Sequence, residues 1–226
     1  MNRLRFLSAA LWALACTALS VSAAAPLTPP ERAELLVRLE AVHTQYPSFQ
    51  AAFSEQRTSR LLKKPITSSG RIAFQIPNKF RRELTGSNPS LTVSNGKELW
   101  IYYPNFLEAE QYTLGKRAIF DDALAALTAG LNFAHVEEFY QLEVTPEEEG
   151  GYQIVLTPKR TNLKRIVAQL AVFLDKNLDV RRTDLTLPKG DQVVTTYTAQ
   201  RRETVPAATF EFAPPAGANI TRPLGK

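Results

Sequence analysis

The residues able to do chemistry are few. Two histidines, His43 and His135, and one cysteine, Cys16, stand in a chain of 226 residues. That excludes a disulfide framework and most metal sites. His135 has Glu137 and Glu138 close by, a donor set too thin for a metal, and it reads as a helix-surface histidine. His43 falls at the end of a helical pattern, where the helix dipole favours a cation, and reads as structural. Glu147-Glu148-Glu149 runs into Gly150-Gly151, so it reads as a solvated turn rather than an acid–base pair. The chain holds no Gly-x-Ser-x-Gly elbow, no His-Glu-x-x-His, no Cys-x-x-Cys and no phosphate-loop glycine pattern. Binding without a catalytic site, a cofactor or a metal is the function class left.

The compartment is written at the N-terminus. Arg3 and Arg5 precede an apolar run over 6–19, and Val21-Ser22-Ala23 supplies small residues for a signal peptidase. The run is short for a bilayer span. Residues 1–23 are therefore expected to be a signal peptide cleaved near Ala23, with residues 24–226 forming one exported domain. Leu14-Ala15-Cys16 partly matches a lipoprotein processing site, and Ala13 stands where that motif usually has Leu. A lipidated Cys16 would tether the protein, whereas cleavage after it leaves a mature chain with no cysteine. Cleavage leaves 203 residues with 25 basic and 22 acidic side chains, a charge of +3. That charge is weak support for nucleic-acid binding, and export makes such a partner still less expected. The basic doublets Lys63-Lys64, Lys159-Arg160, Lys164-Arg165, Arg181-Arg182 and Arg201-Arg202 read as solvated strand faces. Attraction to anionic headgroups or to an acidic partner is the alternative.

Hydrophobic residues at 44% and charged residues at 22% are enough for a packed core. Leu35, Leu36, Leu39 and Val42 recur at helical spacing after Thr28-Pro29-Pro30-Glu31, which predicts a capped amphipathic helix over 30–45. From Ser48 onward the period becomes two: Phe49, Ala51 and Phe53; Ile72, Phe74 and Ile76; Phe80, Arg82 and Leu84; Leu91 and Val93. Asn95-Gly96 predicts a hairpin between 91–94 and 99–103. A strand is expected over 106–114, a helix over 122–130 that ends at Gly130, and a second short helix over 133–140. Strands return at 141–145, 152–157, 165–174, 178–187, 192–201 and 209–212. Short turns between them require antiparallel pairing. The fold class is α+β. A single large curved antiparallel sheet of about eleven strands carries two or three helices against its concave face.

These segments resemble a known family, the LolA-type periplasmic carriers of outer-membrane lipoproteins. The resemblance rests on Phe49-Gln-Ala-Ala-Phe53-Ser-Glu-Gln56, Ser69-Gly70-Arg-Ile-Ala-Phe74 and Pro77-Asn78-Lys-Phe80-Arg81. It continues through Leu91-Thr-Val-Ser94-Asn95-Gly96-Lys97-Glu-Leu99-Trp100-Ile-Tyr102-Tyr-Pro104, Tyr152-Gln-Ile-Val-Leu156-Thr157-Pro158-Lys159 and Phe210-Glu-Phe212-Ala-Pro214-Pro215-Ala-Gly217. It implies an unclosed β-barrel whose two or three helices form a lid over an apolar cavity, and a non-enzymatic carrier. Such a carrier takes an acylated lipoprotein from an inner-membrane extractor and passes it to an outer-membrane acceptor. A monomer is expected. The family's lid is latched by an Arg before the Pro-Asn pair, and Ile76 stands there here; Arg81 and Arg82 are the candidate substitutes. The stretch Leu61-Leu62-Lys-Lys-Pro65-Ile66 is similar to a branch that works beside other exporters, so another lipid or amphipathic product is the alternative cargo. A tethered acceptor is a third reading. Candidate cavity residues are Phe53, Ile72, Phe74, Ile76, Leu91, Val93, Leu99, Trp100, Ile101, Tyr102, Leu124 and Leu127. Alternation divides them between two faces without saying which is inward.

Overall fold

Twelve strands in one sheet frame the structure, a computed structural model that describes residues 24–115, 133 and 136–223. Cys16, Leu124, Leu127 and His135, and the helix expected over 122–130, lie outside these residues.

Helix α1 (Pro29–Gln45) opens the described chain. The Thr28 backbone N–H donates to the Glu31 carboxylate at 2.8 Å, and the Thr28 hydroxyl donates to it at 2.6 Å. These bonds hold the Glu31 carboxyl below its ordinary range, where its charge suits the positive end of the helix. Leu35 and Leu39, four residues apart, are fully buried, while Val37 faces solvent. Each buried leucine contributes roughly 1.5–3 kcal/mol against leaving it in water. The helix stops at Tyr46, before Pro47, which has no N–H to extend the ladder.

Strands β1 (Ser48–Thr58), β2 (Ile66–Gln75), β3 (Lys79–Thr85), β4 (Ser90–Asn95), β5 (Glu98–Tyr103) and β6 (Glu108–Thr113) form an antiparallel meander. The β4–β5 turn is the Asn95-Gly96 hairpin: Gly96 has φ +90°, and the Asn95 side-chain oxygen accepts from the Lys97 and Glu98 N–H groups. After the short helix α2 (Val136–Phe139), β7 (Tyr140–Pro146), β8 (Tyr152–Pro158), β9 (Gln169–Leu174), β10 (Val180–Thr186) and β11 (Gln192–Arg201) form a second meander. The two meanders join where β1 pairs antiparallel with β11. The order is β12-β6-β5-β4-β3-β2-β1-β11-β10-β9-β8-β7, and the end strands do not pair with each other, so the curved sheet stays unclosed. The β7 edge is partly covered, because the Leu27 N–H donates to the Val144 carbonyl at 2.7 Å.

Two expectations are corrected. The strand expected from 165 begins only at Gln169, and helix α3 (Thr161–Lys164) precedes it. Leu163 and Val167 are both buried, and the Val167 N–H donates to the Leu163 carbonyl, a helical bond. The segment expected as the last strand is instead a 3₁₀ turn, Ala207–Phe210. The chain then continues to β12 (Asn219–Thr221), which runs parallel to β6. Pro206, Pro214 and Pro215 cannot donate to a ladder, so this segment is held by its side chains instead.

Gly70 shows how tightly the first meander is built. A Cβ there would lie 1.9 Å from the Glu83 carbonyl oxygen and 2.7 Å from the Phe53 ring tip. Gly70→Ala is expected to cost about 1–3 kcal/mol by overpacking, read as a lower midpoint in urea. Phe53→Leu in the same background should recover part of that loss, because the ring tip is one of the two clashes.

Candidate functional site

Residues directly opposite each other in antiparallel strands share a face, so the register sorts the candidate side chains. Phe53 lies across from Gly70 and Tyr197, and Ile72 across from Ala51 and Arg82. Phe74 lies across from Phe49 and Phe80, Leu99 across from Ser94 and Tyr112, and Ile101 across from Thr92 and Glu110. Phe53, Ile72, Phe74 and Leu99 belong to the same buried cluster as Leu35 and Leu39 of α1, with Ile76 packed against it. This face, the one that carries the helix, is called the inner face below. Leu91 and Val93 instead lie across from Glu83 and Arg81, and from Tyr102 and Trp100. Those four candidates, Leu91, Val93, Trp100 and Tyr102, are on the outer face.

What covers the outer patch is the C-terminal segment. Phe212 meets the Trp100 ring at 5.8 Å and the Tyr102 ring at 5.5 Å, and Phe210 packs with Ala73 and Val205. The Ser48 hydroxyl donates to the Glu203 carbonyl at 2.7 Å and accepts from the Val205 N–H. The Trp-containing block and the Phe-x-Phe-x-Pro-Pro block of the sequence are thus the two halves of one clasp. Arg81 belongs to it: its guanidinium pairs with Glu83 at 2.7 Å and reaches the Thr209 carbonyl at 3.5 Å. Of the two candidate latch residues, Arg81 is therefore turned away from the inner face.

Arg82 is on the inner face. It pairs with Glu55 and lies over the Phe53 ring, 4.5 Å from its centre. Tyr197 sits beside them, half-buried; desolvation pushes its phenol up, so it stays protonated. The sequence reading missed Glu55 and Tyr197. Glu55 follows Phe53 by two and so shares its face, a signal present in the alternation; Tyr197 needed the β1–β11 register, which joins residues far apart in the chain. A second polar group lies toward β6. The Tyr112 hydroxyl donates to the Glu110 carboxylate at 2.5 Å, and burial followed by that bond raises the Tyr112 phenol. Tyr103 is raised too, first by burial and then by Glu110 and Glu108.

The inner face is covered unevenly by the described elements. Helix α1 is tied to the second meander, where Arg38 donates to the Tyr152 hydroxyl at 3.5 Å and Arg32 pairs with Glu137 at 3.3 Å. There Ile154, Leu156, Val172 and Leu174 have no solvent exposure at all. Across the first meander, Leu84, Ile101, Tyr103 and Tyr112 are only half-buried. Apolar surface with two polar islands can hold hydrocarbon without fixing its position. It offers no nucleophile–base pair, and no group of metal ligands occurs among the described residues.

His43 departs from its expected role. It lies against the Phe133 ring with centroids 6.3 Å apart, and burial, followed by the nearby Arg202 charge, pulls its pKa down to about 4. The imidazole is therefore neutral at pH 7, not a cation serving the dipole. The unfolded chain binds this proton near pH 6.5, whereas the folded chain binds it only near the lowered value. Stability contributed by the neutral ring is complete above the unfolded value and is lost as pH falls through that window. The full difference is at most about 3 kcal/mol before solvent screening of the partly exposed ring. Lowering the pH from 7 to 4 should accordingly lower the melting temperature of wild type relative to that of His43→Gln.

Comparison with known proteins places this arrangement. Residues 44–213 match the family model described as outer membrane lipoprotein carrier protein LolA. An outer-membrane lipoprotein carrier protein of Dechloromonas aromatica (strain RCB) is 33% identical over 175 residues, covering 76% of this chain and 80% of that protein. Its counterpart in Chromobacterium violaceum is 28% identical over 198 residues, covering 87% and 92%. In three dimensions, an uncharacterized conserved protein from Thermus thermophilus superposes with a TM-score of 0.51 at 15% identity, covering 84% of this chain and 99% of that one, which bears on the fold alone. With the family model spanning most of the sequence, the chain belongs to the LolA family of outer membrane lipoprotein carrier proteins.

Proposed function

We propose that the chain is exported, cleaved near Ala23, and works from there onward as one carrier domain in the periplasm. It shields the acyl chains of outer-membrane lipoproteins against its inner face. It receives them from an inner-membrane extractor and yields them to an outer-membrane acceptor, with no covalent step. The observation that carries this reading is the half-buried apolar surface of Leu84, Ile101, Tyr103 and Tyr112 on the inner face of the first meander. Exposing hydrocarbon to water costs about 0.8 kcal/mol per CH₂, so a chain of a dozen methylenes costs about 10 kcal/mol. Three such chains on one protein multiply that cost, so it cannot cross an aqueous space unshielded. Contacts that are apolar and unspecific accept such chains, and they also let them go.

Phe53, Ile72, Phe74, Ile76 and Leu99 form the floor of this surface, and Leu124 and Leu127 stay in the proposal as lid residues. Arg82 is the remaining latch candidate, with Glu55 neutralising its charge. Incubating purified protein with a triacylated lipopeptide, then separating by size, tests the reading. A soluble complex with one lipopeptide per chain is expected, whereas a lipopeptide that stays in micelles and leaves the protein empty would contradict it.

A further inference from the structure

One end of the sheet differs from the other in both charge and greasiness. At that end lie the links β1–β2, β3–β4, β5–β6, β8–β9 and β10–β11. They are neighbours in fact as well as in topology: Arg57 pairs with Asp191 at 3.6 Å, the Ala168 N–H donates to the Thr186 carbonyl, and Asn105 donates to the Ser87 carbonyl. Segments 57–66, 86–89, 104–108, 159–168 and 187–191 hold nine Lys and Arg against two acids, Glu108 and Asp191. At the opposite end, segments 76–79, 95–98, 146–151, 175–179 and 201–203 hold five bases against seven acids. The links of the sheet are thus polarised along its strands, with Glu137 and Glu138 of α2 as further acids beside the basic end.

The exposed apolar side chains follow the same polarity. Of eight large hydrophobic residues exposed among the described residues, Leu61, Leu62, Ile66, Phe106 and Leu107 are all on the basic end, and Leu61 is 94% exposed. Single exposed apolar residues need no explanation, but a set gathered at one end does. The β1–β2 link reads Arg60-Leu61-Leu62-Lys63-Lys64, so its leucines are bracketed by cations. The second knob, Phe106-Leu107, lies two hairpins along the sheet, four strand spacings or about 19 Å away.

We propose that this end of the sheet docks reversibly on an anionic phospholipid surface. Leu61, Leu62, Phe106 and Leu107 enter the headgroup boundary, while Arg60, Lys63, Lys64, Lys164, Arg165 and Lys189 meet lipid phosphates. The knobs sit on separate turns, so a protein partner would need two matched pockets. A fluid bilayer accepts apolar tips wherever they land, and basic residues beside them supply the attraction. This goes beyond the carrier reading and does not depend on it, since the docking residues are in the links and not on the inner face.

Flotation of the processed protein with phosphatidylglycerol–phosphatidylethanolamine vesicles, against phosphatidylcholine vesicles, is the test. Wild type is expected to bind the anionic vesicles and to be released by salt. The Lys63→Glu, Lys64→Glu double variant should lose at least about tenfold in partition. Leu61→Ser, Leu62→Ser should lose at least about fivefold. Lys176→Glu at the other end, and Ile101→Lys on the inner face, should bind as wild type does, which separates failure of docking from failure of cargo binding. Equal binding of the loop variants and wild type overturns the proposal. So does binding only to membranes that contain an embedded protein, the outcome of an acidic protein partner.

Discussion

Ile101→Lys is expected to lower acyl-chain loading at least about tenfold, while Leu91→Lys leaves it within about twofold. The two substitutions are matched. Both residues are half-buried, and each lies across from an acid, Glu110 for Ile101 and Glu83 for Leu91. A lysine at either position therefore has a carboxylate within reach, and the folding cost is similar. Only the face differs. Placing an ammonium group where hydrocarbon is to lie forces the cargo to desolvate a charge or to stay away. Displacement of an acyl-chain fluorophore reads the result directly. Phe74→Glu is a poorer probe of the same idea. Phe74 is 1% exposed and packed on Phe49 with centroids 5.7 Å apart, so a charge there unfolds the core before it reports on cargo.

The second large effect belongs to the outer clasp. Phe210→Ala is expected to destabilise the fold by about 3–5 kcal/mol, a fall in melting temperature of roughly 10 °C for a chain of this size. Phe210 is 1% exposed and meets Ala73 and Val205, so truncation leaves a cavity between the sheet and the returning segment. Phe212→Ala should cost less, since Phe212 is only half-buried over Trp100 and Tyr102. Calorimetry of both variants checks the order. If the two changed stability equally little, the segment would be a loose tail and not a clasp.

The strands were largely legible because alternation and turn chemistry are local. Asn95-Gly96 makes the hairpin it predicts, and Thr28 with Glu31 caps the helix it predicts. The inner and outer assignment was not legible, since a period of two marks two faces and gives neither a name. Only the placement of Leu35 and Leu39 on one of them, and of Phe210 and Phe212 on the other, settles it. The C-terminal segment misled for the same reason. Thr209-Phe210-Glu211-Phe212 alternates as a strand does, yet its aromatics are anchors set into the outer face, and no ladder joins them to it. The pairing of Glu55 with Arg82 was half visible: Arg82 sits in a recognised alternation and Glu55 continues the one read only as far as Phe53, with the contact itself set by the packing of β1, β2 and β3. His43 was misread because helix position is local, whereas its burial against Phe133 and its neighbour Arg202 are not.

The second meander carries side chains with no solvent exposure, whereas the first keeps half-buried apolar side chains on its inner face, where the cargo is proposed to lie. Native mass spectrometry of the protein purified from its own periplasm measures the consequence most directly. A population heavier than the bare chain by one acylated protein is expected, removed by detergent and absent in Ile101→Lys. A bare chain alone, from cells that are making their lipoproteins, would contradict it.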